Sequence, residues 1–216
     1  GVAVCFIASA QVKTTYKKYE HVISRSGYTA DQVAYMILRN AGITDVSIHH
    51  IPGDLTDNYN PREHTLNLSD KVYGSRSIAA IGVAAHECGH AIQHARHYVP
   101  LTVRSAIIPA ANIGSSFAWP LVLIGLIIPR LNFCMTIGIL LFSLVVILQL
   151  VTLPVEFNAS RRAIQIIRDS GYLAPDELKG AKSVLKAAAM TYVAAMVSVS
   201  LQLLRLVILR NSRDDN

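Results

Sequence analysis

The sequence predicts a mainly α-helical integral membrane protein that carries one small polar domain with a little β-structure. Three observations lead there. The chain of 216 residues is 52% hydrophobic and only 16% charged, where ordinary soluble domains carry about a quarter charged residues, and its mean hydropathy is +0.37. Uncharged apolar runs occupy 106–128, 131–153 and 187–204, against the roughly 20 residues, at a rise of about 1.5 Å each, that cross a bilayer. The polar residues gather instead in 12–100, where helical and alternating patterns both occur.

Residues 1–11 read as the end of a first transmembrane helix. GVAVCFIASA is too short to span alone, and the alternative is a signal-peptide core ending at the small residues Ala8-Ser9-Ala10. Lys13, Lys17 and Lys18 directly behind it, with no basic stretch ahead, favour the helix. In the polar domain, 29–43 places Val33, Met36, Ile37 and Ala41 at helical spacing, opened by Thr29 and closed by Gly42. VSIHHI (46–51) has strand character, Pro52-Gly53 and Asn60-Pro61 signal turns, and HTLNLS (64–69) alternates as a half-exposed strand. A helix over 77–96 follows, capped by Ser75 or Ser77. Residues 106–153 form a transmembrane hairpin turning at Pro129-Arg130. Pro154 ends the second run and opens a helix over 154–171, closed by Gly171. A last transmembrane helix covers 181–209, which gives three to four spans with the first one truncated.

The formal charge of +6 does not point to nucleic acid. Lys and Arg sit beside the apolar runs, with no basic stripe interleaved with aromatics, so they read as topology determinants. Cys5, Cys88 and Cys134 are scattered, without a CxxC motif or a disulfide framework.

The chemistry sits in AAHECGH, residues 84–90, on the 77–96 helix. Five of the seven residues from Ser77 to Val83 are apolar, and a carboxylate buried there unpaired costs several kcal/mol or shifts its pKa upward. Metal ligation resolves the conflict. Positions i and i+4 of a helix lie about 40° apart around the axis and about 6 Å along it, so His86 and His90 can direct imidazole nitrogens at one Zn²⁺. Glu87, about 100° round from His86, stands beside such an ion rather than on it, where a general base for an attacking water belongs. Gly89 keeps the intervening face slim enough for another backbone to approach.

Two ligands leave a hydrolytic zinc site short of the usual three. The extended HExxHxxGxxH pattern fails, because Gln93 and Arg96 occupy the glycine and third-histidine positions. His94 lies a further turn along and reads as an outer or surface histidine. Glu156 is the best downstream carboxylate: two spans separate it from His90, so it returns to the same membrane face. Favourable placement of an acid in a first helical turn would by itself explain it equally well. Tyr59, His50, His64, Arg161 and Arg162 are candidate oxyanion donors, Tyr59 first among them. Residues 64–69 are a candidate sheet edge for an extended substrate.

LTDNYNP (55–61), AAHECGHAIQHA (84–95), LPVEFNASRRA (153–163) and AAAMTYVAA (187–195) together resemble the YugP-type membrane zinc metallopeptidases, in the family's order and over nearly the whole chain. That family is similar to HtpX and the CAAX prenyl proteases, which pair HExxH with a distant E-x-x-A-D. The resemblance implies a helical zincin-like catalytic domain holding one catalytic Zn²⁺, with His86, His90 and Glu156 as ligands and Glu87 as general base. One departure stands out: Ser160 occupies the aspartate position of the wider group, which leaves Asn158 or Asp169 as substitutes to brace a histidine.

The leading expectation is a membrane-bound zinc endopeptidase with a polypeptide substrate, itself a membrane protein, and the lipid bilayer as partners. The catalytic side carries Lys13, Lys17, Lys18, Arg96, Arg104, Arg161, Arg162, Arg168, Lys179 and Lys182, and the other Arg130, Arg210 and Arg213, the last beside Asp214 and Asp215. That asymmetry turns the active site to the cytoplasm of a bacterial-type cell membrane. A site-2-type intramembrane protease fits the HExGH spelling but needs an aspartate in a later span, and none of the apolar runs contains one. A non-catalytic metal-binding scaffold would have no use for Glu87.

Overall fold

The computed structural model describes the backbone of residues 1–214 and the side chains of 1–212. Asp215 and the side chains of Arg213 and Asp214, part of the charge asymmetry above, lie outside the described residues. In chain order the elements are α1 (Val2–Tyr19), α2 (Ala30–Asn40), β1 (Ser47–Ile51), β2 (Asn58–Asn60), β3 (Thr65–Ser69), α3 (Ile78–Ala95) and α4 (Val99–Ile127). A 3-10 turn at Pro129–Leu131, α5 (Asn132–Asp169) and α6 (Glu177–Asp214) complete the chain. It is a mainly α-helical membrane protein. Among the described residues, three helical stretches, Val99–Ile127, Pro129–Asp169 and Glu177–Ser212, are long and apolar enough to cross a bilayer.

The chain divides into two compact units, each with its own core. The apolar unit takes in Gly1–Ile7, Val99–Pro154 and the residues from Tyr192 onward. Ala118 and Val122 of α4, Met135, Ile139 and Phe142 of α5 and Leu206 of α6 bury against one another. Gly138 lets α4 and α5 approach closely, since a Cβ there would stand 2.7 Å from the Ala118 carbonyl oxygen. Phe117, Phe133, Leu140, Leu201 and Ile208 face outward, an apolar surface that suits lipid.

The polar unit comprises Ala8–Tyr98 and Val155–Thr191. The Gln32 side chain accepts a hydrogen bond from the Thr29 amide (3.0 Å) at the start of α2. Val33 and Ile37 of α2, Leu66 and Leu68 of β3, Ile81, Ala85, Cys88 and Ile92 of α3, and Ala163 and Ile167 of α5 share the core. Ser77 caps α3 by accepting from the Ala80 amide (3.1 Å), so this helix begins and ends within a residue of the expected 77–96.

The sheet order is β1-β3-β2, with β1 parallel and β2 antiparallel to β3. This corrects the expectation for 64–69. β3 is the central strand, its Leu66, Leu68 and Ser69 are buried, and it has no free edge for a substrate. The reason is β2, three residues from a stretch read as a turn, which pair along its second side. A second correction concerns Pro154, which does not separate two helices: α5 runs through it from Asn132 to Asp169. Proline removes one backbone donor, and packing in apolar helices tolerates that loss where an isolated helix would break. Likewise the helix containing residues 1–11 continues to Tyr19, where buried Tyr16 donates its hydroxyl proton to the Lys71 carbonyl (3.0 Å).

Candidate metal centre

The site lies within the polar unit, where α3 and α5 cross. Gly89 is the crossing point: a Cβ built there would stand 2.7 Å from the Ala159 carbonyl oxygen and 3.2 Å from Ala159 Cα. Only glycine permits that approach. His86 and His90 flank Gly89 on α3, and Glu156 and Ser160 flank Ala159 on α5. Helical spacing on both sides of one close contact therefore brings the four side chains together.

Glu156 Oε2 lies 3.3 Å from His86 Nε2 and 3.5 Å from His90 Nε2. The imidazole rings meet edge to face, with centroids 4.8 Å apart. All three donor atoms fall within 4.8 Å of one another. Donors held about 2.1 Å from a tetrahedral zinc ion stand about 3.4 Å apart, so the donor set has the spacing and the chemistry of a zinc site. Two imidazoles and one carboxylate give the nitrogen-and-oxygen shell that zinc accepts. Glu156, which could equally have been an acid in a helical first turn, is instead buried against both histidines.

The outer nitrogens of the imidazoles are held as well. Ser160 Oγ stands 3.1 Å from His86 Nδ1, so the residue at the position where the wider group has aspartate braces a histidine by itself. Gln93 Oε1 stands 3.0 Å from His90 Nδ1. Asn158 does not touch a histidine; its Oδ1 accepts from Gln93 (3.0 Å) and from Arg162 Nε (2.7 Å). Asp169 is exposed and accepts from Arg168 Nε (2.8 Å), which rules it out as the brace. The brace was expected at Asn158 or Asp169; Ser160 and Gln93 stand there instead, at i+4 from Glu156 and i+3 from His90.

Glu87 is buried beside the histidines. Burial pushes its carboxyl pKa up, the two histidines pull it down, and Glu156 and Asp57 push it up again, for a net rise. Asp57, from the LTDNYNP stretch, is itself raised by burial although it accepts from the Ser69 amide (2.8 Å) and hydroxyl (2.9 Å). Tyr59 sits on β2 with its hydroxyl 2.9 Å from His94 Nδ1. Burial, reinforced by Asp45, pushes its pKa up to about 12, so the phenol keeps its proton at neutral pH. His94 is thus tied to Tyr59 and stands outside the ligand set. Of the other candidate donors, His64 is held by Asp45 (2.6 Å), His50 by Asp70 (2.8 Å) and Arg162 by Asn158. Arg161 is exposed.

A membrane-spanning helical chain in which an HExxH helix meets a buried glutamate from a later helix has the make-up of a zinc metallopeptidase. The chain belongs to the family described as "Putative neutral zinc metallopeptidase", whose model matches residues 1–211. It is also 45% identical to the "Putative membrane protease YugP" of Bacillus subtilis (strain 168), over 100% of this chain and 96% of that protein. No solved structure matches the chain.

Proposed function

We propose that this protein is a membrane-bound zinc endopeptidase that hydrolyses peptide bonds of membrane or membrane-associated polypeptides, with its active site on the cytoplasmic side. The observation that carries the reading is the three-donor set of His86, His90 and Glu156 with Glu87 buried next to it. Family membership and the likeness to a protein named as a membrane protease point the same way. The excess of Lys and Arg beside the polar unit supports the orientation.

His86, His90 and Glu156 would hold the ion, which when bound polarises a carbonyl and lowers the pKa of water. Glu87 takes a proton from the attacking water and returns it to the leaving nitrogen. Buried directly beside the two histidines, that carboxyl group is placed for both halves of the shuttle. Tyr59, a protonated phenol, is the candidate donor to the developing oxyanion. The test is zinc content and cleavage of a polypeptide reporter by the purified protein. Glu87→Gln is expected to keep zinc and to lose cleavage by about 100- to 10,000-fold, and Glu156→Ala to lose zinc. Full cleavage by Glu87→Gln, or full zinc retention by Glu156→Ala, would overturn the assignment.

A further inference from the structure

The hydrogen bonds behind His90 run in one direction only, because both ends of the chain are chemically fixed. At one end the Val155 carbonyl can only accept, and Gln93 Nε2 lies 2.9 Å from it. At the other end Arg162 Nε can only donate, and it lies 2.7 Å from Asn158 Oδ1. Asn158 Oδ1 therefore accepts, and Gln93 Nε2 gives it its second proton over 3.0 Å. With both Gln93 protons so used, the atom facing His90 Nδ1 at 3.0 Å is the Gln93 oxygen, and the imidazole must donate to it from Nδ1. A neutral His90 with its proton on Nδ1 carries a bare lone pair on Nε2, aimed toward Glu156 Oε2 at 3.5 Å. A metal ion is ligated through such a lone pair, so the Nδ1–H tautomer is the one in which His90 and Glu156 can share an ion between them.

We propose that Gln93, Asn158 and Arg162 are positioning residues, a relay that locks His90 in the tautomer and orientation needed to ligate the metal ion. The proposal rests on the reading that His86, His90 and Glu156 hold zinc. It gives Gln93 and Arg162 work that neither a buried core glutamine nor a membrane-flanking arginine would do. Gln93 is wholly buried, and both of its amide atoms are used. The relay also specifies what each member must offer. Position 93 must accept on one side and donate twice on the other. Position 158 needs only an oxygen that accepts twice, because its amide nitrogen takes no part.

That asymmetry supplies the experiment: zinc affinity of the full chain in detergent, measured by competition with a chelator, with thermal unfolding recorded in parallel. The wild type is expected to bind zinc, and Gln93→Met, nearly the same in shape but without the amide oxygen and its two N–H donors, to bind about 10- to 100-fold more weakly. Asn158→Leu is expected to weaken binding, and Asn158→Asp, which keeps the doubly accepting oxygen, to restore wild-type affinity and the wild-type absorption bands of the Co²⁺-substituted protein. Wild-type affinity in folded Gln93→Met overturns the relay and leaves the three-ligand site standing. Equal losses in Asn158→Asp and Asn158→Leu also overturn it, and they decide the matter if Gln93→Met does not fold. A wild type that binds no zinc removes the site itself, and the relay with it.

Discussion

Replacing Gly89 by alanine sets two effects of opposite sign against each other. In a helix interior the change gains about 1 kcal/mol from the lower backbone entropy of alanine. At this position the new methyl would stand 2.7 Å from the Ala159 carbonyl oxygen and 3.2 Å from Ala159 C and Cα. All three atoms are backbone, so no side-chain rotation relieves the clash, and α3 and α5 must move apart by several tenths of an ångström. Overpacking of that kind costs about 1–3 kcal/mol, so net destabilisation is expected despite the better helix former. The separation also acts on the donor set, because His86 and His90 sit on one side of the crossing and Glu156 on the other. Their separations of 3.3 and 3.5 Å would widen together. Gly89→Ala should therefore lower the unfolding midpoint and weaken zinc binding by about tenfold or more, as loss of ligand positioning does. Thermal unfolding and chelator competition on the same sample read both. A variant that is more stable than the wild type and binds zinc equally well would show that the two helices do not meet at this glycine.

Three further outcomes are expected. Ser160→Ala removes the partner of His86 Nδ1 and should weaken zinc binding by about 10- to 100-fold, measured by chelator competition. Tyr59→Phe should retain zinc and lower kcat by about 100- to 1,000-fold if the phenol faces the oxyanion; unchanged kcat in a cleavage assay would remove Tyr59 from the mechanism. Burial, then His64 and His97, hold the His94 pKa below its ordinary 6.5. The unfolded chain therefore binds this proton first as pH falls below 6.5, and stability falls with it. In His94→Gln the pH dependence of the unfolding midpoint in that window should flatten.

What the sequence made legible was whatever depends on local spacing. The HECGH helix declared itself through a four-residue histidine interval and a serine cap, and Gly89 through the lack of a side chain between the two histidines. Long uncharged runs showed the spans for the same reason. Glu156 was legible only in part, because an acid near a helix start has a sufficient local explanation and the partners that override it lie 66 and 70 residues away in sequence. β2 was hidden because three residues carry no period and Asn-Tyr-Asn ahead of proline reads as a turn. Its existence made β3 central and moved the sheet's free edges to β1 and β2. Pro154 misled because its local rule, to break a helix, yields wherever packing holds the chain on both sides.

The competing readings separate on single residues. A site-2-type protease completes its metal shell with an aspartate from a later span. Here Glu156 stands 3.3 and 3.5 Å from the two histidines; with it as third ligand, a fourth protein ligand would leave no room for water or substrate. A structural metal scaffold is satisfied by its ligands alone. It would gain nothing from a buried carboxyl group on the next helical position, and it would carry the desolvation cost of Glu87 for no return. Glu87 is therefore the residue whose presence has to be explained. A scaffold predicts that Glu87→Gln raises stability and changes nothing else, because a neutral amide is easier to bury than a carboxylate. A peptidase predicts the same gain in unfolding midpoint together with loss of cleavage. Stability and activity moving in opposite directions in that one variant, with zinc content constant, is the behaviour that only a catalytic site produces.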